Sequence, residues 1–280
     1  MTAVHVTRAE WLKLRKRPAV WIMIATLALI VVLFGYLALY LLATQAPPEA
    51  SAGLDRVLVL TILSPQHLPG QVLNIAAGFG GALGLILGAL SLGSEFTWRT
   101  VKTITTQLPR RSALMAGHVT ALLAVCMVMT LVAFAAGALG AYGVTVLEPI
   151  DAVAPALDDL ATAFGVTALI IGLWCMVGMC LAMLFRGTGW AIGIGLLYTF
   201  ALEQLLTFLP LDGRAEELLD GALISNNTSA LVTWLSPEAT QALGGTPIDI
   251  DPTQAIMVLL AYLAIAVAIS IVVFAHRDIA

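Results

Sequence analysis

The sequence predicts an all-α polytopic membrane protein. It reads as one transmembrane domain over residues 1–280, with six spanning helices, both termini in the cytoplasm and an amphipathic interfacial helix at the start. Three observations predict this. Hydrophobic residues make up 60% of the 280 and charged residues only 11%, against roughly 25% charged in an ordinary soluble domain. Mean hydropathy is +0.98, and six apolar runs approach the roughly 20 residues that cross about 30 Å of hydrocarbon as a helix. With the N-terminus inside, the short loops sort by charge: 11 of the 13 Lys and Arg fall on the cytoplasmic side and 13 of the 17 acidic residues outside. A water-soluble globular enzyme is excluded, and the chain is too short for a membrane domain plus a sizeable catalytic one.

The first element, residues 1–18, is basic. Wound as a helix, Val4, Trp11, Leu12 and Leu14 cluster to one side and Lys13, Lys16 and Arg17 to the other. With Glu10, Trp11, Lys13 and Arg15 at its centre, it would lie along the inner membrane surface; the plainer reading is a positive anchor with no further role. The spans follow at about 19–43, 72–92, 114–146, 161–185, 190–209 and 255–274. The first is too long for the core of a cleavable signal peptide, about 7–15 residues, despite the small residues Ala50-Ser51-Ala52 after it. The third is too long to stand straight and must tilt, kink near Gly137 and Gly140, or project beyond the bilayer. Gly80, Gly84 and Gly88 in the second span, and Gly189 and Gly193 in the fifth, recur at the spacing that lets helices approach closely. Cys126, Cys175 and Cys180 all fall inside apolar runs and read as packing residues.

Between spans two and three, residues 94–112 form a cytoplasmic loop. As a helix it places Trp98, Val101, Ile104 and Leu108 on one stripe and Arg99, Lys102 and Thr106 on another, ending at Pro109. Such a helix at the membrane face suits docking against a soluble partner; otherwise it is a solvated loop that sets topology. Outside, residues 210–254 are long, and Ser229–Leu243 reads either as a re-entrant or interfacial helix pair broken at Pro237 or as a folded extracytoplasmic loop. The sequon-like Asn226-Asn227-Thr228 is discounted, because the Ala-rich composition suggests a bacterial chain in an inner membrane.

No Walker-type phosphate loop occurs, so ATP is not bound by this chain, and His5, His67, His118 and His276 lack metal-ligand spacing. No catalytic set can be assembled, no cofactor is called for, and nothing points to nucleic acid. Glu203 is the one charged residue within the spans. An intramembrane acid is a functional candidate by default, as proton relay, substrate contact or hydrogen-bond node. The alternative is a carboxyl satisfied by neighbouring helices, with Gln204 beside it.

The cytoplasmic residues resemble a known family. Glu10-Trp-Leu-Lys13-Leu-Arg15-Lys-Arg17 before the first span, Gly93-Ser-Glu95-Phe96-Thr-Trp98-Arg99-Thr100 after the second, Leu108-Pro109-Arg-Arg111 leading to Gly117-His118, and the closing Phe274-Ala-His-Arg277-Asp278 are together similar to type-2 ABC transporter permeases. The family often carries Lys where His118 stands. The resemblance implies an ABC-2 (type V exporter-like) permease fold working with a separate ATPase that supplies ATP and Mg, as two permeases, most simply a homodimer, and two ATPase copies. It implies that the loop after span two is a coupling helix in which Glu95, Phe96, Trp98, Arg99 and Lys102 meet the ATPase. The N-terminal helix would flank it, and the 210–254 region, with Trp234 and Pro237, would form an outer gate. A lipophilic or amphipathic substrate (drug, antibiotic, lipid or peptide) fits the apolar spans. Two other functions compete: a proton-coupled secondary transporter using Glu203, and a non-transporting membrane sensor or scaffold.

Overall fold

The computed structural model describes residues 3–45, 56–97, 111–148, 153–207, 213, 220–242 and 250–276. Among these the regular structure is helical, without strands. Helix α1 (Ala3–Lys16) meets α2 (Pro18–Gln45) at Arg17, whose extended backbone ends one helix and starts the other, with Pro18 in the first-turn position that needs no N–H donor. Helix α3 (Arg56–Ile62) leads to α4 (65–97), which opens with a tight turn at Pro65–His67. Helices α5 (Arg111–Leu147) and α6 (Leu157–Phe185) are long. Helix α7 (188–207) is joined to α6 through Arg186, which takes a left-handed φ of 53°. Then come α8 (Ile224–Leu235), α9 (Pro237–Ala242) and α10 (Pro252–His276).

Among the described residues, five helices are long and apolar enough to cross a membrane: Pro18–Gln45, Pro65–Ser94, Leu114–Leu147, Leu157–Phe185 and Pro252–Phe274. The apolar part of α7, Thr188–Leu202, is shorter. The two larger core clusters among the described residues lie between these helices, while the outer faces of α2, α7 and α10 stay apolar and exposed, with Trp21, Trp190 and Met257 among them.

Glycine sets the closest contacts. Helices α4 and α6 make the most extensive pairing among the described elements. A Cβ on Gly84 would lie 2.6 Å from the Ile171 carbonyl oxygen, one on Gly88 would overlap the Cys175 carbonyl, and one on Gly178 would overlap that of Leu85. These backbones touch because no side chain separates them. Gly189 and Gly193 differ: a Cβ on either would meet nothing within 4 Å, so their shared spacing packs nothing among the described residues.

Helix α5 is one unbroken α-helix of 37 residues, about 55 Å long at 1.5 Å per residue. No interruption marks Gly137 and Gly140. Their bare surface is a seat: a Cβ on Gly140 would lie 2.5 Å from the Tyr36 ring, and one on Gly137 would overlap Val72. The local irregularities lie in other helices, as π turns at Val31–Leu37 in α2, Ala76–Gly80 in α4 and Tyr198–Leu202 in α7. Within the first of these, the buried Gln71 amide donates to the Gly35 carbonyl at 3.3 Å, the kind of internal partner that irregular backbone needs where water is excluded.

Candidate functional site

Helix α1 buries Val6, Glu10 and Leu14, one residue per turn along a single face. It lies against α5, where Gly117 lets the chains meet: a Cβ there would stand 2.7 Å from Val6 Cγ1 and 3.1 Å from the Thr7 nitrogen. The middle residue of that face is an acid, so it needs partners. Lys13 Nζ lies 2.7 Å and His118 Nδ1 2.9 Å from Glu10 Oε2. His118 Nε2 is 3.3 Å from Ser91 Oγ, which donates its own proton to the Gly88 carbonyl at 2.7 Å. A carboxylate accepts only, and the Ser91 proton is already used. The pattern is therefore satisfied when both ring nitrogens donate. Burial works against ionisation of Glu10, but the His118 hydrogen bond and charge, with Lys13, outweigh it and hold its pKa at about 2.

One turn further on, Arg17 Nη1 donates to Ser94 Oγ at 3.1 Å and to the Ser91 and Leu90 carbonyls at 3.2 and 3.4 Å. A cation on carbonyls near a helix C-terminus is favourably placed. The α1 face thus joins the end of α4, through Ser91 and Ser94, to the start of α5, through His118. These are the two flanks of residues 98–110.

The expected coupling residues divide accordingly. Glu95 and Phe96 lie in the final turns of α4, whereas Trp98, Arg99 and Lys102 lie outside the described residues. On α1, Glu10 and Lys13 enter the network, Trp11 packs half-buried against the core, and the Arg15 carbonyl accepts from Trp21 Nε1 at 2.8 Å. Leu12, expected on the apolar side, is exposed: the buried face follows Val6, Glu10 and Leu14 instead. His118, dismissed as a metal ligand, and Ser91 were missed. The available signal was an acid at the centre of an i, i+4, i+8 apolar row, with a histidine at the start of the third span.

At the far end of the bundle, Glu203 is 1% exposed. Its Oε1 accepts from the backbone N–H groups of Ile224 at 3.0 Å and Ser225 at 3.4 Å, the first residues of α8. Those N–H groups have no partner within their own helix, so an anion from α7 is a fitting cap. Read as a hydrogen-bond node, Glu203 has a specific partner in the start of α8. Helices α8 and α9 are separated at Ser236, where Pro237 starts the second helix. The break presses on Gly70, where a Cβ would overlap Ser236 Oγ, and Glu238 Oε2 lies 2.9 Å from His67 Nε2. Trp234, at the end of α8, is exposed. The acceptor of the sequon, Asn226, is half-buried within α8, and its Nδ2 donates to Asp220 Oδ1 at 3.1 Å.

A family model described as ABC-2 family transporter protein matches residues 4–279. No curated protein matches the chain.

Proposed function

The chain belongs to the ABC-2 family of transporter membrane proteins, and from that premise we propose that it is the permease of an ATP-driven exporter with six spans and both termini in the cytoplasm. Two copies would work with two copies of a separate ATPase, which binds ATP and Mg. The observation that carries this reading is the network of Glu10, His118, Ser91 and Arg17, which grips both flanks of residues 98–110. A loop that receives force from a partner needs such an anchorage, because only a rigid support passes displacement into the spans. On this reading Glu95, Phe96, Trp98, Arg99 and Lys102 meet the ATPase, α1 backs them, and α8 and α9 with Trp234 and Pro237 form the outer gate.

The sixth crossing falls to α7. Its 20 residues, 188–207, reach about 30 Å at 1.5 Å per residue. Its apolar stretch stops at Glu203, but that carboxyl is buried in protein and bonded to α8, so it offers no charge to lipid. The charge asymmetry of the loops supports a cytoplasmic face for residues 98–110 and the inner membrane of a bacterium as location. The apolar spans suit a lipophilic or amphipathic substrate.

Native co-purification tests the reading. A tagged wild-type chain should bring down a soluble ATPase, and the Arg99→Glu/Lys102→Glu variant should lose it at unchanged membrane level. Recovery of the chain alone, or equal ATPase recovery with the variant, would overturn it.

A further inference from the structure

A groove of about 250 Å³ lies between α1, α2 and α5. Apolar cavities of about 150 Å³ already hold a six-carbon ring, so this one has room for a length of hydrocarbon chain. Val20, Ile24 and Val125 line it as buried residues, and Trp11 and Trp21 add two indoles. Trp21 is 53% exposed, and its Nε1 proton is taken by the Arg15 carbonyl at 2.8 Å. That bond fixes the ring and leaves it no proton for a polar ligand. The groove runs from the surface helix into a span. Trp11 and Arg15 belong to α1, whereas Val20, Trp21 and Ile24 fall in the first two turns of the apolar stretch that begins at Pro18. Ile24 therefore stands about 9 Å along that stretch at 1.5 Å per residue.

The exposed charge beside the groove has one sign. Arg15 is the single charged residue among the described lining. Arg8, Leu12 and Arg15 recur along one face of α1 and are all exposed, with Lys16 exposed next to them. None of these three cations pairs with an acid among the described residues. The single acid of α1, Glu10, is buried and held by Lys13 and His118. An exposed leucine between two arginines, above an apolar groove, is a surface made to meet headgroup and chain together.

We propose that this groove seats an acyl chain of one anionic phospholipid, with the lipid phosphate on Arg15. The unpaired cations favour a headgroup with net negative charge over a zwitterionic one, whose own ammonium cancels the phosphate. The two indoles suit the boundary between headgroup and chain. The lipid fills the wedge between α1 and α2 and fastens α1 to the membrane surface, as a resident of the fold and not as cargo. The inference rests on α2 and α5 spanning a bilayer with α1 at its surface; it does not rest on the ATPase.

The test uses the full-length chain in phosphatidylcholine nanodiscs without ATPase, with tryptophan fluorescence as readout. Increasing fractions of phosphatidylglycerol brominated in its acyl chains quench any indole they touch, and brominated phosphatidylcholine gives the bulk-lipid baseline for all six tryptophans. Saturable quenching by the anionic lipid is expected, half-complete at a mole fraction at least fivefold lower than for the zwitterionic one. Arg15→Gln should remove that advantage and leave the baseline unchanged, since its main-chain carbonyl still accepts from Trp21. The Trp11→Phe/Trp21→Phe chain should lose the saturable part, because the reporters of the groove are gone. A wild-type measurement stands independently of how the variants fold: unbrominated phosphatidylglycerol should restore the fluorescence, and glycerol 3-phosphate in the buffer should not. Equal quenching by the two lipids, or an advantage that persists in a folded Arg15→Gln chain, would overturn the proposal. Saturable quenching that survives without Trp11 and Trp21 would place the lipid elsewhere, and relief by glycerol 3-phosphate would assign the cations to a soluble anion; either overturns it equally. A failed quenching experiment leaves the ATPase co-purification result intact, and a failed co-purification leaves the quenching readable.

Discussion

Glu10 carries two cationic contacts on one oxygen, and its behaviour follows from them. A carboxyl held at about 2, against an ordinary value of 4.5, contributes stability that is fully present above pH 4.5 and is lost as the pH falls towards 2. The Glu10 contribution to α1 docking should therefore be lost in that acid window. Glu10→Gln removes the charge at every pH and weakens the contacts to Lys13 and His118, costing on the order of 2 kcal/mol for lost charged hydrogen bonds. Limited proteolysis within α1 reads both effects: cleavage should speed up in the variant at pH 7, and the variant should show no further acid-induced change between pH 4.5 and 2. Asp251, before α10, illustrates an exposed relative of this device. The backbone N–H groups of Gln254 and Thr253 hold its carboxyl below the usual range, as expected of a helix N-cap.

Among the elements, the glycines make opposite predictions from the same spacing. Gly88 faces the Cys175 carbonyl across α4 and α6, whereas Gly193 faces open space. Gly88→Ala should lower stability in a denaturant titration by about 1–3 kcal/mol, the usual cost of overpacking, while Gly193→Ala should stay within about 0.5 kcal/mol of wild type. Equal losses would show that the α4–α6 contact is not the tight one. This contrast also marks what the sequence could convey. Period and composition announce an apolar helix, because the 3.6-residue repeat and the run length are local properties. Which glycine meets a neighbour depends on how helices distant in sequence are rotated, and no local pattern records that. The same holds for Gly137 and Gly140, whose spacing is equally compatible with a kink and with the seat they provide for Tyr36 and Val72. Pro237 was legible because a proline stops a helix by its own chemistry, and α8 and α9 part there. Glu203 was legible as an anomaly, one acid in an apolar run, but its partners Ile224 and Ser225 lie about 20 residues away across a connection whose path the sequence does not show. His118 stayed hidden for the same reason: its carboxylate partner is more than a hundred residues earlier in the chain.

For the whole molecule, the account requires one face of the bundle to be a docking face, and the topology must put that face inside. Position 186, in the α6–α7 turn, and position 214, beyond α7, should lie on opposite sides if α7 crosses. The native cysteines are buried, so single cysteines can be introduced against a quiet background. In intact cells Arg214→Cys should react with an impermeant maleimide and Arg186→Cys only after permeabilisation; equal labelling of both would remove the sixth span. The central claim, that residues 98–110 and the α1 network behind them receive the ATPase, is tested most directly by hydrogen–deuterium exchange. The full-length chain would be measured in nanodiscs, alone and with the co-purified ATPase. The account predicts slowed exchange in 98–110 and α1, with α8 and α9 unchanged by the partner alone. Protection confined to α8 and α9, or none in 98–110, would contradict it.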